Sequence, residues 1–530
     1  GHLYLKPGPH FSHKLIDPPI FLPHRRVDSS GSMEAFASMI YLALLGLFVV
    51  VSGTPSADFL RCAQTQGFGS YVVLPGTSQY TALIQDSWVS NAGWTPVAFF
   101  EAPSSNGIKA ALKCARQVSV VVCPRSGGHS KMGGSLCNGI VLDLARMNRY
   151  QFAQGGTSVV LGAGLPQGEL LYHTVKQGPL GKFPPVGECP PVGLPGFMLG
   201  GGLIEMDGRY GLGCDNLLQV QYVLANGSQV SASATQNTEL FWASCGGGGG
   251  YFGVAFGITL RLRDRSPYDR NSYFRYDWGI SRAAQVLRAY SSWTLSGGKI
   301  SLKLKSDFNV IPPVIRAFGV CWEVDSANAC EAALNATPVF KVPGRIKRLN
   351  QHTTSLLDAL KFMSKSGNYG QKIPPPSFTN EVAFLDQLYG AASKSNSVRW
   401  ANTVSKYNSL PSLTYYQNIV NYCASTGINV CNWRRIGVGV RLRSSDSTAF
   451  PFRQATEILY VAIKQGPSSV TLLNQFFSIQ QQYTVGSYIN YPNQDTPNYK
   501  TLYWGTHYTR LANLKRKLDP TNLFFSPQPL

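Results

Sequence analysis

Residues 121–143 read VVCPRSGGHSKMGGSLCNGIVLD, and this stretch decides how the first half of the chain folds. An apolar, β-branched run stops at a proline, two glycines and a histidine follow, and a second apolar run closes the stretch. The pattern predicts a strand, a turn that exposes its backbone, and a second strand. Gly127 and Gly128 let successive N–H groups point into one concavity, which suits a phosphate or pyrophosphate. His129, at its edge, could be a nucleophile, a ligand or a purely structural residue.

Length and composition restrict the class of protein. The 530 residues are enough for two or three domains and a large core. A hydrophobic content of 44% with 14% charged residues indicates a folded protein rather than a disordered one. The net charge of +20 is explained by a solvated basic surface or, alternatively, by contact with an anionic cell-wall polymer. The sequence has no zinc-finger spacing and no basic run longer than Lys515–Lys517, so no nucleic-acid partner is expected.

The N-terminal part differs from the rest of the chain. Residues 1–32 are rich in Pro, His and Arg, and they are interpreted as an unstructured leader that is not the native start. Residues 33–53 are predicted to be a signal peptide, because the apolar run Met39–Val51 has the length of a signal core and is too short to span a bilayer. Cleavage is expected before Thr54, which leaves a secreted protein without an integral membrane segment; a buried helix or signal anchor is the alternative reading.

The cysteines support secretion. There are eleven, and an odd number in a secreted protein leaves one thiol for another purpose. Glycosylation sequons begin at Asn226 and Asn335. Two pairs are close enough in sequence to staple a loop: Cys321 with Cys330, and Cys423 with Cys431.

The pattern of elements changes near residue 266. Before it, helices such as Ser104–Gln117 alternate with short strands such as Val118–Cys123. After it, glycine becomes rarer, and the alternating run Ile300–Lys305 with helical patterns at Ser355–Ser364 and Phe452–Ile463 predicts an antiparallel sheet with helices on one face. The predicted fold class is therefore α+β. The predicted divisions are a first domain at 54–265, a second at 266–480, and a C-terminal segment at 481–530.

A second Gly/Pro-rich stretch, Pro184–Gly202, reads PPVGECPPVGLPGFMLGGG. So many prolines and glycines predict a long shaped loop without helix or strand, and such loops are usually functional. Alone, Cys189 in its middle is more often half of a disulfide, and His129 is more often a structural residue. Together they occupy two loops of the kind that hold anionic cofactors. The sequence has no Walker A motif, no GxGxxG opening a helix and no convincing zinc spacing.

At these residues the chain resembles the berberine-bridge-enzyme-like and carbohydrate (oligosaccharide) oxidases, which are FAD-linked oxidoreductases of the vanillyl-alcohol-oxidase, or PCMH-type, superfamily. The resemblance covers about residues 58–265 and 480–530, whereas residues 266–480 match only in length and in their general pattern of strands and helices. It implies a PCMH-type FAD-binding domain of two α+β subdomains, a substrate domain of antiparallel sheet covered by helices, and a C-terminal segment that returns to the FAD domain. The motifs that carry the resemblance are RSGGHS at 125–130, GECPPVG at 187–193 and DPTNLFF at 519–525.

The resemblance implies a bicovalent FAD, with His129 bonded to the flavin 8α-methyl carbon and Cys189 to its C6. Ten cysteines then remain to pair. Cys62 with Cys114 matches the family's N-terminal disulfide, and for the four cysteines that are left we guess Cys123 with Cys137 and Cys214 with Cys245, one of three pairings that they allow. The other residues expected to contact FAD are Arg125, Ser126, Gly127, Gly128, Ser130, Val192, Gly193, Gly196, Gly253, Val254 and Asn490.

The family removes a hydride from a hydroxyl-bearing carbon while a base takes the hydroxyl proton. In its carbohydrate oxidases the base is a tyrosine of a Tyr-x-Asn-Tyr motif, which here implies Tyr491 as base and Tyr488 as pocket wall. A free tyrosine has a pKa near 10 and needs help from a cation or from the flavin. The alternative is two aromatic residues that only pack a strand end.

The plant branch carries its base, a glutamate or glutamine, on a strand that we predict at Arg435–Arg443. Leu442 falls near that position and no carboxylate is present, which argues against alkaloid ring closure. Gln417 and Asn418 could line the substrate pocket. Arg441 could favour an acidic sugar, or it could be part of a solvated strand face.

Val192 occupies the family's oxygen gate, where valine accompanies oxidases. The sequence thus predicts a secreted, monomeric FAD oxidase that converts the anomeric carbon of a sugar or oligosaccharide to a lactone and reduces dioxygen to hydrogen peroxide. The alternative is a berberine-bridge-like flavin oxidoreductase of an alcohol or other secondary metabolite. A flavin-free glycan-binding module is a third hypothesis, which the presence of both His129 and Cys189 disfavours.

Overall fold

A computed structural model of the protein describes residues 53–90, 93–265, 268–293, 298–364, 398–464, 466–492, 495–496 and 498–530. Residues 54–530 group into one compact unit by their internal contacts. The leader predicted at 1–32 and residues 33–52 of the predicted signal peptide lie outside the described residues.

The opening stretch forms two strands of a four-stranded sheet, which confirms the predicted strand, turn and strand. The strands are β1 (Val72–Val73), β2 (Ala98–Glu101), β3 (Val122–Arg125) and β4 (Ile140–Asp143), in the order β1-β2-β4-β3. β3 and β4 are parallel, so the glycine-rich segment that joins them must cross over. The helices that precede β3 are α1 (Pro55–Thr65), α2 (Ser78–Gln85) and α3 (Ser105–Gln117).

The predicted helix before β3 is confirmed as α3. Ser104 caps it, because its side chain accepts a hydrogen bond from the Gly107 N–H at 3.3 Å. Its apolar face is buried against the sheet. The strand predicted from Val118 begins later, at Val122, because Val118 forms the C-cap of α3 and Ser119 turns the chain with φ of 54°.

A five-stranded antiparallel sheet follows in the chain. Its strands are β5 (Tyr150–Phe152), β6 (Ser158–Gly162), β8 (Leu217–Val223), β9 (Gln229–Ser233) and β10 (Val254–Arg261), in the order β5-β6-β10-β8-β9. A two-stranded ribbon pairs β7 (Lys182–Phe183) with β11 (Arg263–Asp264). The helices of this region are α4 (Gln167–Gln177), α5 (Leu194–Leu199), α6 (Asp207–Tyr210) and α7 (Thr238–Ala243).

The second half of the chain builds an eight-stranded antiparallel sheet. Its strands are β12 (Asn271–Gly279), β13 (Ile300–Asp307), β14 (Val314–Trp322), β15 (Ile346–Thr353), β16 (Val398–Ser405), β17 (Ile428–Arg435), β18 (Glu457–Lys464) and β19 (Thr484–Gly486). Their order is β15-β12-β14-β13-β17-β18-β16-β19. The helices are α8 (Ala283–Ser292), α9 (Ala327–Asn335), α10 (Leu356–Ser364), α11 (Leu413–Ser425), α12 (Val438–Arg441), α13 (Ser469–Gln480), α14 (Tyr499–Trp504) and α15 (Tyr508–Leu518).

The two faces of this sheet have different neighbours. One face forms a core with α8, α9, α11 and α13, as the predicted helix-covered sheet requires. The other face shares a core with α5, with α10 and with the segment before β8, so the two halves of the chain are packed together there. The boundaries at 265 and 480 stay predictions, although the strands of this sheet fall between Asn271 and Gly486.

Three predictions of local structure are wrong. The stretch Phe452–Ile463, predicted as a helix, contains β18, a central strand that is buried on both faces and therefore reads as a continuous apolar run. The strand predicted at Arg435–Arg443 ends where it was expected to begin, since β17 stops at Arg435 and α12 follows. The loop at Pro184–Gly202 includes the short helix α5, which tolerates Pro195 in its first turn.

Ten of the eleven cysteines form the expected five disulfides, and Cys189 is the free thiol in the described part of the chain. The two short-range pairs and the family-type pair are all present. The pairs are Cys62–Cys114, Cys123–Cys137, Cys214–Cys245, Cys321–Cys330 and Cys423–Cys431.

A buried ion pair links the two halves of the chain and predicts a large stability effect. Arg453 is fully buried and donates to both carboxylate oxygens of Asp215, at 2.6 and 2.8 Å. Arg453→Met should cost about 3–5 kcal/mol, because it leaves a buried carboxylate without its main partner. Arg443 contacts the same carboxylate at 3.3 Å from a half-exposed position, so Arg443→Met should cost under about 1 kcal/mol. Equal shifts of the two unfolding midpoints in denaturant would contradict this.

Candidate active site

The two Gly/Pro-rich loops that the sequence singles out meet backbone to backbone. A Cβ on Gly127 would lie 2.3 Å from the Gly193 nitrogen and 2.5 Å from the Pro191 carbonyl oxygen. A Cβ on Gly193 would lie 2.3 Å from the Gly127 nitrogen. Only glycine fits at either position, so this contact brings the loops of His129 and Cys189 together, as expected.

Arg125, at the end of β3, supports the loop that carries His129. Its side chain is buried and its guanidinium bonds Asp143 at 2.9 Å, at the end of the neighbouring strand β4, and Asp86 at 2.5 Å. Gly128, directly above, has φ of 70°, and a Cβ there would lie 3.2 Å from the Arg125 Nε. Two of the guanidinium nitrogens are thus engaged by carboxylates, which makes Arg125 a support of the loop.

The other polar residues of this loop also bond to the protein. Ser126 donates to the Ala163 carbonyl at 2.5 Å, and the Ser130 hydroxyl accepts from the Gly134 N–H at 2.9 Å. The ring of Trp88 lies 4.9 Å from that of His129, centroid to centroid. These contacts fix the loop and the histidine that it carries.

Gln167, at the start of α4, holds the second loop and was not predicted. The buried side chain donates to the Cys189 carbonyl at 2.5 Å and accepts from the Gly187 N–H at 2.9 Å. Its backbone N–H donates to the Val192 carbonyl at 3.0 Å. Three bonds from one residue therefore shape the turn on which Cys189 lies.

A third glycine loop, residues 246–250, borders the same place. The Gly196 position faces open space, with no atom within 4 Å of an added Cβ, and the Gly196 Cα lies 3.5 Å from the Cβ position of Gly249. Gly253 and Val254 connect this loop to β10, and Val254 pairs with Val223. Close backbone approaches thus join the three glycine-rich loops at one place, and loops of this kind suit a pyrophosphate.

Asn402 on β16 fixes the turn that carries the tyrosine motif. Its buried amide donates to the carbonyls of Tyr488, at 3.1 Å, and Tyr491, at 2.7 Å. Its side-chain oxygen accepts from the Tyr488 N–H at 2.6 Å. The eight-stranded sheet, through Asn402, therefore fixes the turn that carries both tyrosines.

The Tyr488 hydroxyl is part of the framework. It accepts hydrogen bonds from the N–H of Gly202, at 2.8 Å, and from the Asn490 amide, at 2.9 Å. Asn490 also donates to the Phe197 carbonyl at 2.8 Å. Burial raises the pKa of Tyr488 to about 12, so its hydroxyl stays protonated near neutral pH.

Tyr491 lies between a cation and a second tyrosine. The Lys131 ammonium is 4.1 Å from the centroid of its ring, and the Tyr460 ring is 5.0 Å away, centroid to centroid. Burial raises the pKa of Tyr491 well above its usual value, and the charge of Glu188 adds to this, whereas Arg434 acts in the opposite direction. Neither Lys131 nor Tyr460 was predicted.

Lys131 connects the three motifs electrostatically. It lies two residues after His129, stacks on Tyr491, and interacts with Cys189. Burial lowers the pKa of Lys131 to about 8, against the charges of Cys189 and Glu188. The Cys189 side chain is exposed, yet the surrounding protein raises the pKa of its thiol to about 12 by desolvation, and Glu188 adds to the rise while Lys131 opposes it.

Leu442, near the base position of the plant branch, and the suggested pocket residues Gln417 and Asn418 do not lie beside Tyr491. Leu442 is 79% exposed and caps α12 rather than lying on a strand. The strand that contacts Tyr491 is β18, through the ring of Tyr460. The sequence analysis did not identify Tyr460 because it predicted this apolar run to be a helix. Gln417 and Asn418 lie on α11, which packs on the opposite face of the sheet.

The contact between the loops predicts the effect of one methyl group. Gly127→Ala should force the two loops apart at a cost of about 1–3 kcal/mol, lower the unfolding temperature and reduce the amount of flavin that the purified protein carries. Gly466→Ala is the matched control, since a Cβ there meets no atom within 4 Å. Wild-type flavin content in the Gly127 variant would contradict the role given to this contact.

Comparison with known proteins gives a match in each of two separate regions of the chain. Residues 96–233 match the FAD binding domain family model, and residues 487–530 match the berberine and berberine-like model. The uncharacterized FAD-linked oxidoreductase YvdP of Bacillus subtilis is 25% identical over 87% of this chain and 97% of its own. No helix among the described residues is long and apolar enough to cross a membrane.

Solved structures show the same fold. BBE-like 1 of Physcomitrella patens superposes with a TM-score of 0.76 at 24% identity, over 89% of this chain and 98% of its own. The xylooligosaccharide oxidase of Myceliophthora thermophila, solved with xylobiose, superposes with a TM-score of 0.74 at 19% identity and the same coverage. The predicted α+β fold is confirmed by these structures, and the two family-model matches confirm the resemblance of the chain to the berberine-bridge-enzyme-like FAD-linked oxidoreductases.

Proposed function

We propose that this enzyme holds FAD through two covalent bonds, from His129 and Cys189, and oxidises a hydroxyl-bearing carbon of a sugar or oligosaccharide, the anomeric carbon in our preferred reading. The observation that supports the proposal is the backbone contact of Gly127 with Gly193, which brings the loops of His129 and Cys189 together, with Lys131 of the first loop over the Tyr491 ring. The likeness to an oligosaccharide oxidase supports a sugar substrate.

A bound flavin would accept a hydride from the substrate carbon and pass two electrons to dioxygen, giving hydrogen peroxide. The chain's own residues must orient the hydroxyl, exclude water and take its proton. Tyr491 is the proposed base. Since burial raises its pKa, it needs a compensating cation, and the Lys131 ammonium over its ring is well placed to favour the phenolate.

The attachment residues need nucleophilic forms, neutral imidazole for His129 and thiolate for Cys189. The charge of Lys131 opposes the rise of the Cys189 pKa and so favours the thiolate. Val192, whose carbonyl Gln167 binds, is the proposed oxygen gate, because a small side chain beside the flavin leaves room for dioxygen.

Secretion remains part of the proposal. Five disulfides support an oxidising compartment. Both sequon asparagines, Asn226 and Asn335, are exposed, which glycosylation requires. A monomeric state and contact with an anionic cell-wall polymer through the basic surface are proposed with it.

The attachment predicts a pattern among variants. His129→Ala and Cys189→Ala should each retain flavin after acid precipitation through the remaining bond, and only the double variant should release it all. His173→Ala, at a half-buried histidine stacked on Tyr150, is the control and should match the wild type. Complete release from either single variant would refute two bonds.

The substrate is tested by peroxide release across a panel of reducing sugars, oligosaccharides and other alcohols. Sugars should release peroxide, and Val192→Leu should slow flavin reoxidation by dioxygen without changing flavin reduction. Release with other alcohols or alkaloids alone would favour the secondary-metabolite alternative. An unchanged rate of flavin reoxidation in Val192→Leu would contradict the role of Val192 as the oxygen gate.

The base predicts a change in rate and in pH dependence. Tyr491→Phe should slow flavin reduction by about 10²–10⁴-fold while the flavin stays attached. Lys131→Met removes a positive charge, so the pKa of Tyr491 rises and the pH at which reduction becomes fast should move upward. Tyr499→Phe, whose hydroxyl bonds the Pro529 carbonyl away from this place, is the control. Normal reduction in Tyr491→Phe would exclude it as the base.

A further inference from the structure

One ammonium group contacts both ends of the Gly/Pro-rich loop that carries Cys189. Lys303 of β13 is only 5% exposed, and its side chain bonds the carboxyl groups of Glu188 and of Glu205, the latter at 2.7 Å. Glu188 directly precedes Cys189, and Glu205 follows shortly after the loop ends at Gly202. The eight-stranded sheet therefore holds this loop through a residue that is distant in the chain.

The segment around Glu205 is fixed to the same sheet by further contacts. Ser301 of β13 donates a hydrogen bond to the Glu205 carbonyl at 2.6 Å. Arg434 of β17 donates to the Ile204 carbonyl and lies 3.5 Å from a Glu205 carboxylate oxygen. This end of the loop is thus attached to two strands, and Lys303 reaches from there to the turn that carries the thiol.

The turn of Cys189 is held between two parts of the chain. From one part, the Gln167 side chain accepts from the Gly187 N–H at 2.9 Å and donates to the Cys189 carbonyl at 2.5 Å. These two bonds fix the backbone on either side of Glu188. From the other part, Lys303 bonds the Glu188 side chain. Held from both parts, the backbone of this turn keeps one conformation, which sets the direction of the thiol.

The contact between Lys303 and Glu188 also acts on the thiol through its charges. Burial raises the pKa of the Cys189 thiol to about 12, the charge of Glu188 adds to the rise, and Lys131 and Lys303 oppose it. Removal of the Lys303 ammonium therefore disfavours the thiolate, whereas removal of the Glu188 carboxylate favours it. Position and charge thus predict opposite effects for a variant at Glu188.

We infer that Lys303 is a positioning residue for the attachment of Cys189: by holding the Glu188 side chain, it keeps the thiol in the orientation that bonds the flavin. This inference rests on the proposed function. Lys303 belongs to none of the motifs that indicate the cofactor, and it acts from the second half of the chain. Bond formation between held groups depends strongly on placement, since a misplacement of about 1 Å can slow a reaction on the order of 10²-fold.

The bond between Cys189 and the flavin forms with loss of hydrogen. The sulfur becomes attached to the flavin C6, and the thiol hydrogen and the C6 hydrogen leave as two protons together with two electrons. Dioxygen, the acceptor in the proposed oxidase reaction, takes up these protons and electrons and becomes hydrogen peroxide. Since no further reactant is needed, the yield of the bond depends on how the protein presents the thiol.

The test counts free thiols in the purified holoenzyme after unfolding in denaturant without a reducing agent. The other cysteines are in disulfides, so only Cys189 can react, and the wild type, with Cys189 bonded to flavin, should show no free thiol. Lys303→Met and Glu188→Ala should each approach about one free thiol per protein, while acid precipitation still retains the flavin through His129. Lys303→Arg keeps the donor and Glu188→Gln keeps the acceptor, so both should match the wild type.

Lys299→Met, at an exposed lysine just before the same strand, is the matched control and should show no free thiol. Glu188→Ala leaves the pair of Lys303 with Glu205 intact, so the test holds even if Lys303→Met does not fold. Absence of a free thiol in Glu188→Ala would overturn the inference, because any loss of attachment in Lys303→Met would then be an effect of charge alone. About one free thiol per wild-type protein would instead refute the second bond of the proposed function, and the inference with it.

Discussion

The contact between the backbones of Gly127 and Gly193 is the constraint on which the rest of the site depends. At that point two loops from distant parts of the sequence approach so closely that neither can carry a side chain. Each loop is braced from outside, one by the ion pairs of Arg125 and the other by the three hydrogen bonds of Gln167. The bracing matters because glycine-rich backbone has high conformational entropy and does not keep such a shape alone.

Burial controls the chemistry of the groups around that contact. Desolvation raises the pKa of Cys189 and of Tyr491, so neither reaches its reactive anionic form without nearby positive charge. Lys131 stands beside both. Behind them, Lys303 holds two carboxyl groups together in the interior. A few cations inside a poorly solvated site thus decide which acids ionise.

The sequence predicted local features well where one physical rule dominated. The helix α3 follows from its capping serine and apolar spacing, and the strands β3 and β4 follow from the two apolar runs of residues 121–143. The prediction was wrong where burial on both faces removes periodicity, as in β18. That single misreading hid Tyr460, because its contact with Tyr491 requires a strand.

The sequence by itself determined the fold class, the resemblance to FAD-linked oxidoreductases and the cysteine left out of the disulfides, because each depends on a short motif or a count. Only the tertiary structure showed that Asn402 fixes the tyrosine turn, that Lys131 lies over Tyr491, and that Glu188 and Glu205 share Lys303. These contacts join residues far apart in the chain. Sheet order and packing decide them, and no local pattern of residues encodes such proximity.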